Sequence, residues 1–127
     1  MWLVSNHPAN LGFRFLLEVL AISAFAFWGW AWDGWTRWPL AAGCALAGMA
    51  VWGIFRTPGD ASSGSGYVAT PGPLRLALEL GIFALAVLAL LNADANDRAR
   101  WLALALAAGV VVHYALSWDR VRWLLGR

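Results

Sequence analysis

Two glutamates stand inside stretches of the chain that are otherwise apolar, and each follows an arginine by four positions. Arg14 precedes Glu18, and Arg75 precedes Glu79. Residues four apart lie on one face of a helix, so each pair presents a guanidinium and a carboxylate together. A carboxylate within the membrane can carry protons or bind a cation. Alternatively, such charges neutralise one another and fix how the helices pack.

The order of the charges favours partners on another helix. Glutamate before arginine is the better order for a pair on one helix, and a cation near the helix N-terminus is disfavoured. Both pairs have the reverse order. We therefore expect Arg14 to pair with Glu79 and Arg75 with Glu18, in a buried polar network or ligand site near one end of the protein.

His113 and Trp52 are weaker candidates for a site. His113 is the one histidine inside an apolar stretch, and Trp52 lies 61 residues before it. The imidazole of His113 could hydrogen-bond to a neighbouring helix or bind a haem iron. Bis-histidine ligation of haem would need a second histidine in a span, so we interpret His113 as structural. The sequence shows no nucleophile–base pair, metal-ligand spacing or nucleotide loop, so we expect no enzyme activity, metal or cofactor.

The composition predicts a membrane protein. Of the 127 residues, 61% are hydrophobic and 13% charged, against about 45–50% and about 25% in soluble domains. A chain of this size cannot bury that much apolar surface, so the excess must face lipid. The nine basic residues are scattered arginines and the net charge is only +2, which argues against nucleic-acid binding.

Four apolar stretches approach the ~20 residues needed to cross a bilayer. They are residues 11–32, 38–55, 73–91 and 99–118. Residues 57–72 are rich in Gly, Ser and Pro, which is typical of a flexible loop outside the membrane. The expected fold class is all-α: a single polytopic membrane domain built as a four-helix bundle.

The arginines predict the orientation of this bundle. An even number of spans places both termini and the long loop on one side, and six of the nine arginines fall there. By the positive-inside rule, we expect the bacterial cytoplasmic (inner) membrane, with the N- and C-termini in the cytoplasm.

A segment of helix 1 recurs in helix 3. Residues 11–18 (LGFRFLLE) align with residues 72–79 (GPLRLALE), and the same offset of 61 residues relates Arg37 to Arg98. The chain is thus predicted to be two helical hairpins related by a parallel internal repeat. Helices 2 and 4 are rich in small residues, which permit close helix contact, so their faces are candidate homodimer interfaces.

Four motifs occur from helix 1 to helix 3: Asn10-x-x-x-Arg14-Phe15-Leu16-Leu17-Glu18, Trp28-Gly29, Trp52-Gly53-Ile54-Phe55-x-x-Pro58 and Leu74-Arg75-x-x-x-Glu79-Leu80-x-x-Phe83. Together they resemble the YrdB-like family, bacterial four-helix membrane proteins of unknown function. The resemblance covers residues 10–92 well and helix 4 weakly, and it implies fold and location without an activity.

Two functions fit these features. The first is a structural or regulatory membrane component, in contact with the lipid bilayer, whose buried Arg–Glu network fixes the packing. The alternative is a small proton-coupled transporter or channel that uses Glu18 and Glu79 to bind a small ion or solute; small multidrug transporters show that four helices with a membrane glutamate suffice. A water-accessible cavity between helices 1 and 3 would favour transport.

Overall fold

The computed structural model describes residues 7–32, 34–57, 68–92 and 97–126, which are mostly α-helical. The all-α fold class is confirmed. A 3-10 turn lies at Gly34–Thr36, and two short strands, β1 (Phe55–Arg56) and β2 (Val68–Ala69), pair in parallel. The helices are α1 (Pro8–Trp30), α2 (Arg37–Ile54), α3 (Gly72–Asn92), α4 (Asp97–Leu116) and α5 (Trp118–Leu125).

Local sequence explains where α1 begins and how it meets α2. The His7 side chain accepts a hydrogen bond of 3.1 Å from the amide of Ala9, and Pro8 occupies the first helical position, where its missing N–H costs nothing. Gly34 reverses the chain with φ of +73°, a conformation that favours glycine. At Gly29 a Cβ would lie 2.5 Å from the Leu40 backbone, so the two helices approach closely there.

Helices α1 and α3 form the centre of the protein. Helix α1 packs against α2, α3 and α4, and α3 packs also against α4 and α5, whereas α2 barely touches α3. Helix α2 has no buried residue. The main core cluster combines small and large apolar side chains from α1, α3 and α4: Leu17, Ala21, Ala24, Phe83, Ala86, Leu90, Ala103 and Leu106.

Three helices in the described ranges are long and apolar enough to cross a membrane: Pro8–Trp30, Gly72–Asn92 and Arg98–Leu116. These spans are consistent with the predicted membrane protein. Helix α2 has 18 residues but begins with Arg37, Trp38 and Pro39 and contains several glycines, which lower its mean hydropathy. The prediction of four spans therefore stays a prediction.

The C-terminal part differs from the expected pattern. The predicted fourth span, residues 99–118, is interrupted: α4 ends at Leu116, and after Ser117 the chain forms α5, a short amphipathic helix that the sequence analysis did not predict. Most of the predicted loop 57–72 lies outside the described residues. Since α2 is followed by β1 and α4 by α5, the two hairpins end differently, and the internal repeat also stays a prediction.

Candidate functional site

The carboxylate of Glu79 is the centre of a buried polar cluster. Its side chain is 0% exposed. Oε1 accepts hydrogen bonds from Tyr114 Oη at 2.6 Å, Arg120 Nη1 at 2.9 Å and Arg14 Nη1 at 3.3 Å. Oε2 accepts from Arg75 Nε and from Arg120 Nη2, both at 2.7 Å. Arg120 thus binds the carboxylate through two parallel hydrogen bonds, a bidentate geometry that is the strongest available to this pair.

Four helices bring these side chains together. Arg14 comes from α1, Glu79 and Arg75 from α3, Tyr114 from α4 and Arg120 from α5. The short helix α5 reaches the cluster because it folds back onto the start of α3, so closely that a Cβ at residue 72 would lie 1.8 Å from a backbone oxygen of α5. The cluster therefore joins the C-terminal helix to the apolar core.

Helix α2 contributes backbone carbonyls and one aromatic ring. Arg75 Nη1 donates to the carbonyl oxygens of Trp52 at 2.8 Å and Phe55 at 2.6 Å. These carbonyls lie at the helix C-terminus, where intrahelical partners are lacking. The Trp52 ring also lies under two guanidiniums, 5.3 Å from Arg14 Cζ and 4.8 Å from Arg75 Cζ, which adds cation–π attraction.

The cluster carries more positive than negative charge. Arg14, Arg75 and Arg120 are 3%, 1% and 1% exposed. Glu18 supplies the second carboxylate, with Oε1 at 3.2 Å from Arg14 Nε. Three guanidiniums against two carboxylates leave a net charge of +1. Because burying an unpaired charge costs several kcal/mol, Glu79 is the group that makes the burial of all three arginines tolerable.

A second buried network lies beside the first, between α1 and α4. Asn10 Nδ2 donates to Ser117 Oγ at 2.8 Å, and Asn10 Oδ1 lies 3.1 Å from His113 Nδ1. The amide oxygen can only accept, so the proton of this bond belongs to His113 Nδ1. His113 thus hydrogen-bonds to a neighbouring helix. Its neighbour Tyr114 belongs to the Glu79 cluster, so the two networks adjoin on α4.

One of the two predicted ion pairs is confirmed. Arg14 contacts Glu79, with Nη2 and Oε2 at 3.2 Å. The predicted pair of Arg75 with Glu18 is wrong: Arg75 pairs with Glu79 of its own helix, because the α2 carbonyls hold its other nitrogen on that side. Glu18 pairs with Arg14 and keeps 26% of its side chain exposed.

Arg120 and Tyr114 belong to the cluster but were not predicted as site residues from the sequence. A signal for Arg120 was present in residues 118–125, where apolar and charged residues alternate with helical spacing, so that Arg120 lies next to the buried side chains Val121 and Leu124. Tyr114 offered no signal beyond its place beside His113. Within the described ranges, no three His, Cys, Asp or Glu side chains are grouped so that they could hold a metal ion.

Comparisons with known proteins assign the chain to a family. The model of a protein of unknown function (DUF2568) matches residues 12–112. The chain belongs to this family. Uncharacterized protein YrdB of Bacillus subtilis (strain 168) is 33% identical over 123 residues, which cover 95% of this chain and 97% of that protein. The YrdB-like resemblance is thus confirmed, and no solved structure matches the chain.

The DUF2568 match covers part of the cluster. Arg14, Glu18, Arg75 and Glu79 lie inside residues 12–112, whereas Tyr114 and Arg120 lie beyond them. The similarity to the Bacillus protein extends over nearly the whole chain and therefore reaches further than the family model. Neither match names an activity, so a function must be argued from the site itself.

Proposed function

We propose that this protein is a non-enzymatic structural or regulatory component of the bacterial cytoplasmic membrane, in which the Glu79 cluster fastens α5 to a bundle of membrane helices. The observation that supports this role is the state of the Glu79 carboxylate. It accepts five hydrogen bonds from four side chains on four helices. Its exposure of 0% means that no water-sized space adjoins it. Such a group holds helices together and is badly placed to exchange protons or ions.

The proposed bundle has four spans, with α2 as the fourth. Helix α2 packs along α1, and its outward side is apolar. Both termini and the loop between α2 and α3 would lie in the cytoplasm, as the arginines favour. There α5 would lie at the membrane surface, since it exposes Trp118, Arg122 and Leu125. Labelling of single cysteines at both ends of α2 in intact cells and open vesicles tests the fourth span and its direction.

Two finer features of the architecture are part of the proposal. The parallel repeat is supported by the Arg–Glu pairs, which occupy corresponding places near the starts of α1 and α3. A homodimer through α2 and α4 is supported by the lack of buried residues on α2 and by the small residues on both helices. Native mass spectrometry in mild detergent measures whether the dimer forms.

The decisive test of the structural role compares Glu79→Gln with Glu18→Gln. We expect Glu79→Gln to yield protein that unfolds or aggregates in mild detergent, because three buried guanidiniums lose their shared carboxylate. Glu18→Gln, at a partly exposed position and with Arg14 still paired to Glu79, should purify folded and lose much less stability. A folded, monodisperse Glu79→Gln protein with an unchanged unfolding transition would refute the proposed role.

A second candidate function, a small proton-coupled transporter or channel, is supported by Glu18 more than by Glu79. Glu18 is partly exposed and lines a cavity between α1 and α2. Purified protein in vesicles with an entrapped pH-sensitive dye tests proton movement along an imposed pH gradient. If the protein transports protons, the proton flux should exceed that of empty vesicles, and Glu18→Gln should abolish the excess. Equal proton fluxes with and without the protein would refute proton-coupled transport.

A further inference from the structure

A groove between α1 and α2 lies beside the Glu79 carboxylate and shares Glu18 and Trp52 with its cluster. Its volume is about 290 Å³. Glu18 stands on the α1 wall and Arg56, just beyond the end of α2, on the other. The apolar lining includes Val19 and Met49, which are 44% and 48% exposed, so the groove opens sideways toward the surroundings of the bundle.

Each charged group in the groove has unused hydrogen-bonding capacity. Glu18 uses Oε1 to accept from Arg14, and its Oε2 accepts no hydrogen bond from the described residues. Arg56 Nε is buried and, in the same ranges, donates to no partner. A ligand with an acceptor for the guanidinium of Arg56 and a donor for Glu18 would match both charges, although the buried Nε itself lies out of its reach.

Both charged residues line the same groove. Helical side chains lean toward the helix N-terminus, so the Glu18 carboxylate points back toward the end of α1 that adjoins the C-terminus of α2. The Arg56 side chain folds over Gly53, with Nη2 4.0 Å from where a Cβ of that glycine would be. Glu18 and Gly53 line the same groove. A headgroup that carries both charges a few atoms apart can therefore meet both residues.

We propose that this groove binds an aminophospholipid, with the phosphate on Arg56 and the primary ammonium on Glu18. One guanidinium and one carboxylate match a zwitterionic headgroup. A primary ammonium has N–H donors for the carboxylate, whereas a choline headgroup has none. At ~30 Å³ per water, the groove has room for roughly ten waters, enough for a headgroup and the first methylenes. The remaining acyl chain would run along the exposed apolar side.

This inference rests on the proposed membrane location, and it makes a specific prediction about lipid choice. Purified protein is titrated with short-chain phosphatidylethanolamine, phosphatidylcholine and phosphatidylglycerol, and bound lipid is counted by native mass spectrometry. We expect phosphatidylethanolamine to bind about tenfold more tightly than phosphatidylcholine, the size of one charge-assisted hydrogen bond. Glu18→Gln should abolish this preference, and Arg56→Gln should weaken both lipids about tenfold.

Arg37→Gln is the matched control, because Arg37 lies at the opposite end of α2 and should leave lipid binding unchanged. Equal binding of phosphatidylethanolamine and phosphatidylcholine by the unchanged protein would overturn the proposal, and this comparison needs no variant to fold. A preference for phosphatidylglycerol would also overturn it, since the groove would then select a net negative headgroup. If the protein were soluble without detergent, the proposed membrane role would fail, and the lipid site with it. If folded, detergent-extracted protein showed no lipid selectivity, the lipid site alone would be refuted.

Discussion

The excess positive charge of the Glu79 cluster predicts that its members are not equally important for stability. Replacing Glu79 by Gln removes the carboxylate that three buried guanidiniums share, and Glu18, the other carboxylate bonded to the cluster in the described residues, contacts Arg14. Replacing Arg120 by Gln instead removes one cation from a cluster with a net charge of +1 and leaves it balanced. Loss of the single shared anion should therefore cost more than loss of one of three cations.

The geometry gives the size of each effect. Breaking a buried ion pair by removing one partner costs about 3–5 kcal/mol, and Glu79→Gln should fall in this range because three buried arginines lose the carboxylate that they share. Arg120→Gln removes two charge-assisted hydrogen bonds, but Glu79 keeps Tyr114, Arg14 and Arg75. A loss of about 1.5–3 kcal/mol is expected.

Unfolding in detergent, followed by circular dichroism as the fraction of dodecyl sulfate rises, measures these differences in free energy. Arg122→Gln is the matched control for Arg120, since it removes the same charge from an exposed position on the same helix. We expect this control to unfold like the unchanged protein. If Arg120→Gln destabilised the protein as much as Glu79→Gln, the charge balance would not govern the cluster, and packing of α5 would be the better explanation.

Two further substitutions test the supports of the cluster. Gly72→Ala would place a Cβ 1.8 Å from Leu124 O. This change should destabilise the protein by about 1–3 kcal/mol and speed hydrogen exchange in α5. Gly81→Ala, whose Cβ meets open space, should be neutral in both assays. Asn10→Ala leaves His113 Nδ1 without its buried partner and should cost about 1–3 kcal/mol, measured by the same unfolding assay; an unchanged transition would show that this network adds nothing to stability.

The sequence was sufficient for the long apolar helices and for one of the long-range contacts. Hydropathy located α1, α3 and α4 because a bilayer demands long apolar stretches. Both cross-helix pairs were predicted from the order of the charges within each helix. Arg14 pairs with Glu79 as predicted, but Arg75 pairs with the glutamate of its own helix. The preference for charge order within a helix is worth only a few tenths of a kcal/mol, so the carbonyls at the end of α2 were able to override it.

Helix α5, which was not predicted from the sequence, explains why Glu18 and Glu79 have different partners. Symmetry between the hairpins predicted that Glu18 and Glu79 would be equivalent, each paired across to the other half. However, α5 follows α4, whereas β1 follows α2, so Arg120 reaches Glu79 alone. Nothing in the periodicity of the spans specifies that a short helix after the last span folds back onto the bundle, and the position of Arg120 depends entirely on that step.

The same asymmetry separates two roles that the repeated sequence motif had combined. Glu79, held by Arg120 and Tyr114, has no exposed surface and is suited to stability. Glu18 keeps one oxygen without a hydrogen bond from the described residues and faces a groove that contains Arg56, so it is suited to binding. A chain shortened before α5 should therefore lose this difference between the two glutamates, because Glu79 would lose two of its five hydrogen bonds. Hydrogen exchange with solvent at Glu79 should rise, while hydrogen exchange at Glu18 should stay the same.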